Sequence, residues 1–277
     1  MTRQPHSVRF SLIVAVAAFG LVATSGEPAF ADLSEGPIAH WPLNEGEGTF
    51  TEDVAGDHDG TICGGPPWVT GVGGYALDFD GSNDYVNVGP FTQFGGTQEF
   101  SLCGWINRTT SGSGPYIVDN MNSSLQGIGL FSYGDYSGVI VGGANDGTVQ
   151  ATVEDYENIA DGEWHLIVGT YNGSMLQLYI DGEWRGSNSI SSYTASTWNM
   201  NIGRMEQGDR WYFDGILDEI RIYNRALLAS EVQQLYADGA GVPTVSEWGM
   251  LVMTLLILAT GTLVFVRRRA EAKTVIE

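Results

Sequence analysis

Apolar and polar residues alternate in short runs along most of the 277-residue chain, and glycine, asparagine and aspartate punctuate the runs. The clearest pattern is W-H-L-I-V-G-T-Y-N-G-S-M-L-Q-L-Y-I-D-G, from Trp164 to Gly182. It predicts two strands, Trp164–Tyr171 and Met175–Ile180, joined through Asn172-Gly173-Ser174. Asn-Gly favours a tight hairpin because both residues tolerate the positive φ of a primed turn. Asp181-Gly182 follows at once and returns the chain toward Trp184. Three adjacent antiparallel strands within about twenty residues make a meander and set an all-β class.

Similar runs flank this meander. Ile38–Leu43 and Phe100–Ile106 read as strands, and Leu77 and Phe79 alternate with Asp78 and Asp80, placing the apolar pair inward and the acids outward. From Thr109 to Gly147 the pattern weakens into short strands near Tyr116–Asp119, Ile128–Phe131 and Val139–Val141, and this variable middle is where binding loops are expected. Asn199–Gly203 and Phe213–Tyr223 complete the strands. A short helix follows, with Ser230 and Gln233 as a capping box and Val232, Leu235 and Tyr236 as its apolar face.

The two ends follow different rules. Arg3 and Arg9 precede an apolar run from Phe10 to Ala23, and Ala29-Phe30-Ala31 is an A-x-A cleavage site, so residues 1–31 read as a removed signal peptide. Residues 249–266 carry no charge and are followed by Arg267-Arg268-Arg269. As a helix they would be about 27 Å long, enough to span a bilayer with the basic cluster (267–269) in the cytoplasm. The expected plan is a signal peptide (1–31), one folded domain outside the inner membrane (32–240), and a tail with a transmembrane helix (241–277).

The central motif, W-H-x-(apolar)-x-x-Thr-Tyr-Asn-Gly with a second strand ending in Asp-Gly, closely resembles the central hairpin of laminin-G-like jelly-roll domains. These belong to the concanavalin A-like lectin/glucanase superfamily. Flanking segments resemble the same family: H-W-P-L-N-E-G-E-G after Ala39, the Asp53–Gly60 loop, A-L-D-F-D-G-S-N-D-Y-V from Ala76, and F-D-G-I-L-D-E-I-R-I-Y-N-R from Phe213. The resemblance covers about Ile38 to Tyr236. It implies a two-sheet antiparallel jelly-roll sandwich with a short C-terminal helix. The superfold hosts lectins, adhesion modules and hydrolases, so function must come from a site.

The tail carries a second resemblance. Val242-Pro243-Thr244-Val245-Ser246-Glu247-Trp248-Gly249 is similar to the I-P-T-(L/V)-S-E-W-G signal of bacterial C-terminal sorting tails read by exosortase-type proteases, with Pro243, Thr244, Ser246, Glu247, Trp248 and Gly249 matching. Val242 replaces the usual Ile, and residues 270–277 extend past the basic cluster. The resemblance implies a Gram-negative-type envelope and delivery of the domain to the cell surface after tail cleavage. An ordinary single-pass anchor is the alternative.

Charge narrows the partners. The chain carries a formal charge of −21, and residues 32–247 hold 30 acids against six arginines and no lysine. Phosphate backbones require basic contacts, which argues against nucleic acid. Such acidity suits divalent cations or a saline exterior. Cys63 and Cys103 both lie in the exported part, as a disulfide pair or as two separate thiols.

Catalytic signatures are missing. Glucanases of the superfamily carry E-x-D-x-x-E or E-x-D-x-E on one strand, and neither occurs; Glu154-Asp155-Tyr156-Glu157 scatters its acids over both faces. No G-x-S-x-G elbow or H-E-x-x-H helix is present. The chain therefore does not read as an enzyme. The family resemblance implies a rim calcium ion held by Asp53 and Asp218, with Asp57 and Asp59 behind them. Trp184, Trp198, Trp211 and Tyr212 fall near turns and are the candidate ligand-stacking residues, whereas Trp41, Trp105 and Trp164 sit in core motifs. The expected function is a non-catalytic surface module for adhesion, recognising a glycan or a surface protein. A structural matrix protein is the second reading and a polysaccharide-cleaving enzyme the third.

Overall fold

The computed structural model describes residues 35–240 except 93, 110–115, 134–135, 145–148 and 206–210. In chain order the strands are β1 (Ala39–Trp41), β2 (Phe50–Thr51), β3 (Gly60–Cys63), β4 (Trp68–Thr70), β5 (Tyr75–Asp80), β6 (Tyr85–Pro90), β7 (Phe100–Asn107) and β8 (Tyr116–Asp119). They continue with β9 (Gly127–Tyr133), β10 (Tyr136–Ala144), β11 (Val149–Asp155), β12 (Trp164–Tyr171), β13 (Met175–Ile180), β14 (Glu183–Ser189), β15 (Asn199–Ile202) and β16 (Asp214–Tyr223), and α1 (Ala229–Gly239) follows.

These strands form two antiparallel sheets. The first runs β14-β13-β12-β7-β16-β5-β4, with β1 also paired to β16, and the second runs β11-β10-β9-β8-β15-β6-β3-β2. Residues that alternate inward from both sheets share one core, including Leu77, Phe79, Leu102, Ile106, Ile167 and Leu178 from the first and Val86, Leu130, Val139, Val141, Val153 and Ile202 from the second. Fully burying each such side chain stabilises the fold by roughly 1.5–3 kcal/mol. The expected sandwich with its short C-terminal helix is the observed architecture.

The central strands of the first sheet are buried on both faces. Ile167 enters the shared core, while its neighbours Leu166 and Val168 join Cys103, Trp105, Tyr179 and Tyr223 in a second cluster under α1. Double burial explains why β12 reads as a nearly continuous apolar run. Helix α1 supplies Val232 and Leu235 to that cluster, with Tyr236 stacked on Trp105 at 5.7 Å and 16°.

Three local expectations change. The helix starts earlier than expected: Leu228 is its N-cap, and the N–H of Leu228 donates to the Glu231 carboxylate at 2.7 Å, so Glu231 and not the Ser230/Gln233 pair ties down the first turn. At the central hairpin only Gly173 adopts positive φ (87°). Asn172 works through its side chain, accepting the N–H of Ser174 at 3.1 Å and of Met175 at 2.8 Å. The primed two-residue turn is instead Asp181-Gly182, with φ of 53° and 80°.

The two cysteines are free thiols, which corrects the disulfide pairing. Cys63 lies on β3 of the second sheet, whereas Cys103 lies on β7 and points away from that sheet into the cluster under α1. A disulfide needs Cβ atoms about 3.5–4.5 Å apart, which opposite sheets do not allow when one thiol points outward. Burial pushes the Cys103 thiol up to about 12, so it stays protonated.

Among the described residues no helix is long and apolar enough to cross a membrane. The expected signal peptide (1–31), the expected membrane span (249–266) and the sorting-type motif (242–249) all lie outside the described residues.

Candidate functional site

Strand register places a second set of aromatic rings on the face of the second sheet that points away from the core. On β9, Ile128 and Leu130 enter the core and Phe131 turns outward; on β10, Val139 and Val141 go in and Ile140 goes out. With period 2, Tyr133 shares the outward face with Phe131, and Tyr136 and Gly138 share it with Ile140. Cross-strand pairing then aligns Tyr116 with Phe131, Tyr133 with Tyr136, Phe131 with Gly138, Gly138 with Glu154, and Ile140 with Thr152.

The result is a cleft of about 370 Å³ lined by Tyr116, Phe131, Tyr133, Tyr136, Ile140, Thr152, Glu154 and Trp211. Its rings meet mostly edge to face. Tyr133 and Tyr136 centroids are 5.5 Å apart at 67°, Phe131 and Tyr136 5.9 Å at 82°, and Tyr133 and Trp211 6.3 Å at 74°. Such geometry holds each ring in a fixed orientation through complementary edges and faces. Gly138 makes the packing possible, because a Cβ there would lie 2.6 Å from Phe131 Cζ.

Trp211 enters the cleft at a backbone cost. Its φ is 63°, in the left-handed region that a bulky residue rarely adopts, and its side chain is 43% exposed. Strain of this kind costs of order 1–3 kcal/mol and concentrates at binding and catalytic positions. The rim is polar: Tyr156 Oη donates to Glu154 Oε2 at 3.2 Å, and the Tyr136 and Tyr156 rings lie 5.3 Å apart. Burial, aided by the Asp119 charge, raises the Tyr116 hydroxyl above its ordinary value, which keeps its proton available for donation.

Of the four expected stacking residues, only Trp211 lines this cleft. Trp184 is 56% exposed but stands on β14, the edge strand of the other sheet. Trp198 is half-buried and its N–H donates to Ser196 Oγ at 3.0 Å. Tyr212 packs on Tyr85 at 6.3 Å, beside the Arg204 guanidinium that covers the other ring at 3.6 Å. Tyr116, Phe131, Tyr133 and Tyr136 were missed. Their signal was present as aromatics spaced by two around Phe131–Tyr133 and repeated at Tyr136, in the stretch where alternation looked weak.

Three of the four acids expected to hold calcium accept backbone N–H groups. Asp53 is buried, and its Oδ1 accepts the N–H of His40, Ala55 and Gly56 at 2.8–3.1 Å while Oδ2 accepts that of His58 at 3.1 Å. Asp59 accepts the Asp53 N–H at 3.0 Å, and Asp57 is exposed. Asp218 accepts the Val72 N–H at 2.7 Å and the Glu219 N–H at 2.8 Å, so it fastens a different loop. No group of three or more His, Cys, Asp or Glu among the described residues is arranged to hold a metal ion. Backbone donors thus occupy Asp53 and Asp218, the two acids named first for the ion.

A second cavity of about 490 Å³ lies beside α1, lined by Trp105, Trp164, His165, Asp161, Asp181 and Tyr236 among others. Here His165, the histidine of the central W-H motif, bridges Asp181 at 2.7 Å and Asp161 at 3.1 Å. The hydrogen bond to Asp181 raises its pKa above the ordinary value.

The fold recurs in solved structures of low identity. The binding domain of Paraclostridial Mosquitocidal Protein 1 superposes with a TM-score of 0.61 at 18% identity, over 74% of this chain and 53% of that one. The botulinum neurotoxin serotype G binding domain gives 0.57 at 15%, over 72% and 50%. This chain therefore spans about half the length of those toxin domains. Domain 4 of AbnA, a GH43 extracellular arabinanase from Geobacillus stearothermophilus in complex with arabinotriose, gives 0.58 at 18%, over 72% of this chain and 98% of that one. No curated protein sequence matches the chain. Residues 80–233, more than half of the chain, match the Laminin_G_3 family of the concanavalin A-like lectin/glucanases superfamily, and the protein belongs to that family.

Proposed function

We propose that the protein is a non-catalytic carbohydrate-binding module whose ligand lies in the aromatic cleft on the outer face of the second sheet. The observation that carries this reading is the set of five rings, Tyr116, Phe131, Tyr133, Tyr136 and Trp211, lining one cleft together with Thr152 and Glu154. Sugar rings present apolar C–H faces and polar edges. Ring faces to stack on, with a few convergent polar groups beside them, are the complement of such a ligand. Among the described lining residues Glu154 is the one carboxylate, whereas glycoside hydrolysis generally uses two flanking the scissile bond. The arabinotriose complex of the arabinanase domain and the binding domains of the toxins agree with this reading.

Presentation outside the cell is part of the proposal. It is supported by the signal-peptide pattern of residues 1–31 and by the sorting-type tail at 243–249, apolar run and basic cluster that follow residue 240. An exosortase-type protease is the expected processing partner, and an intact mass that retains residues 249–277 at the surface contradicts it.

Affinity electrophoresis of the full-length protein through gels containing soluble polysaccharides tests the binding reading. The wild type is retarded by at least one polysaccharide and Trp211→Ala migrates freely. Free migration of the wild type in every gel overturns it.

A further inference from the structure

The lining of the cleft sets one carboxylate, Glu154, beside its aromatic rings. Phe131, Gly138 and Glu154 sit side by side across β9, β10 and β11. Because Gly138 has no side chain, the Phe131 ring leans across it, so ring face and carboxylate lie along one row of the sheet. Glu154 is held there by the Tyr156 hydroxyl. A carboxylate accepts hydrogen bonds at two oxygens and donates none, which suits a pair of neighbouring sugar hydroxyls and repels another carboxylate or a sulfate.

None of the described lining residues is basic. The whole chain, at −21, adds a field of the same sign as Glu154. The cleft volume of about 370 Å³ lies near the low end for ligand pockets, which fits a short stretch of sugar chain.

We infer that the cleft selects neutral oligosaccharides over uronate- or sulfate-bearing ones, with Glu154 reading paired hydroxyls at the edge of the sugar stacked on the aromatic floor. This inference rests on the carbohydrate reading of the cleft given above.

The test is calorimetric titration of the full-length protein with neutral probes (arabinan- and β-glucan-derived oligosaccharides) and anionic probes (oligogalacturonate and a sulfated galactan oligosaccharide). The wild type binds a neutral probe and binds the anionic ones at least about tenfold more weakly. In Glu154→Gln, neutral affinity falls about tenfold, the scale of one hydrogen bond to a charged group, while the gap between neutral and anionic probes narrows and the melting temperature holds. Equal or tighter binding of the anionic probes by the wild type overturns the inference and leaves the carbohydrate reading standing. An unchanged neutral-to-anionic ratio in Glu154→Gln overturns it too. Failure of the wild type to bind any probe removes both.

Discussion

Both sheets turn aromatic rings away from their shared core, and the two outer faces have opposite fates. On the first sheet, Trp105 is 1% exposed beneath Tyr236, Val232 and Leu235 of α1. On the second, Phe131, Tyr133, Tyr136 and Trp211 line a cleft with no described helix above them. A glycine lets rings pack on each face: a Cβ on Gly239 would lie 2.3 Å from Trp105 Cζ2, and one on Gly138 would lie 2.6 Å from Phe131 Cζ. On the proposed reading, the same chemistry serves stability where a helix covers it and recognition where no described helix does. What separates the two is the partner.

Substitutions can break that comparison. The largest expected effect is Trp105→Ala, which empties a buried site and should cost about 3–5 kcal/mol in a denaturant melt while leaving glycan affinity in the surviving folded protein unchanged. Gly239→Ala pushes α1 off the same ring and should cost about 1–3 kcal/mol by overpacking. On the open face, Trp211→Gly should weaken glycan binding about tenfold or more and raise stability by up to about 1 kcal/mol, because glycine adopts positive φ without strain. A stability loss in Trp211→Gly, measured by the same melt, would place this ring with the covered set.

The smallest effect expected is a pH dependence to which Asp218 and His165, away from the cleft, contribute. Burial first, then the charge of Glu219, pushes the Asp218 carboxyl up to about 7 from 3.8, despite the N–H bonds it accepts. His165 is raised from 6.5 chiefly by Asp181. Both bind a proton more tightly folded than unfolded. The Asp218 contribution is therefore complete below about pH 4 and lost as pH rises toward 7. That of His165 is complete below about 6.5 and lost above it. The melting temperature should fall as pH is raised from about 5 to 8, and His165→Gln should flatten the upper part of that slope. Glu219 and Asp161, whose pKa values are lowered, act with the opposite sign and matter only on further acidification. Glycan affinity should not follow the melting curve, since His165 and Asp218 do not line the cleft.

How much of this was legible depended on burial. The strands β12 and β13 end where the sequence places them, because Trp164–Tyr171 and Met175–Ile180 carry strong periodicity and firm turn residues. The stretch holding β8 to β11 read weakly for a physical reason: where both faces carry apolar or aromatic residues, or glycine, the period-2 contrast between inside and outside disappears. The cleft was hidden by that same loss of contrast. Trp211 was found because it stands near a turn, while Tyr116, Phe131, Tyr133 and Tyr136 lie in or beside the short strands of the weakly patterned middle. Asp53 and Asp218 have the composition of cation ligands and accept backbone N–H groups, a use that no spacing reveals.

The most direct test of the contrast between the faces is one calorimetric comparison of the wild type, Trp211→Ala and Tyr236→Ala titrated with the same neutral oligosaccharide and melted in the same buffer. The account predicts that Trp211→Ala loses binding and keeps its melting temperature, whereas Tyr236→Ala keeps binding and melts lower. Loss of affinity in Tyr236→Ala together with unchanged affinity in Trp211→Ala would contradict it.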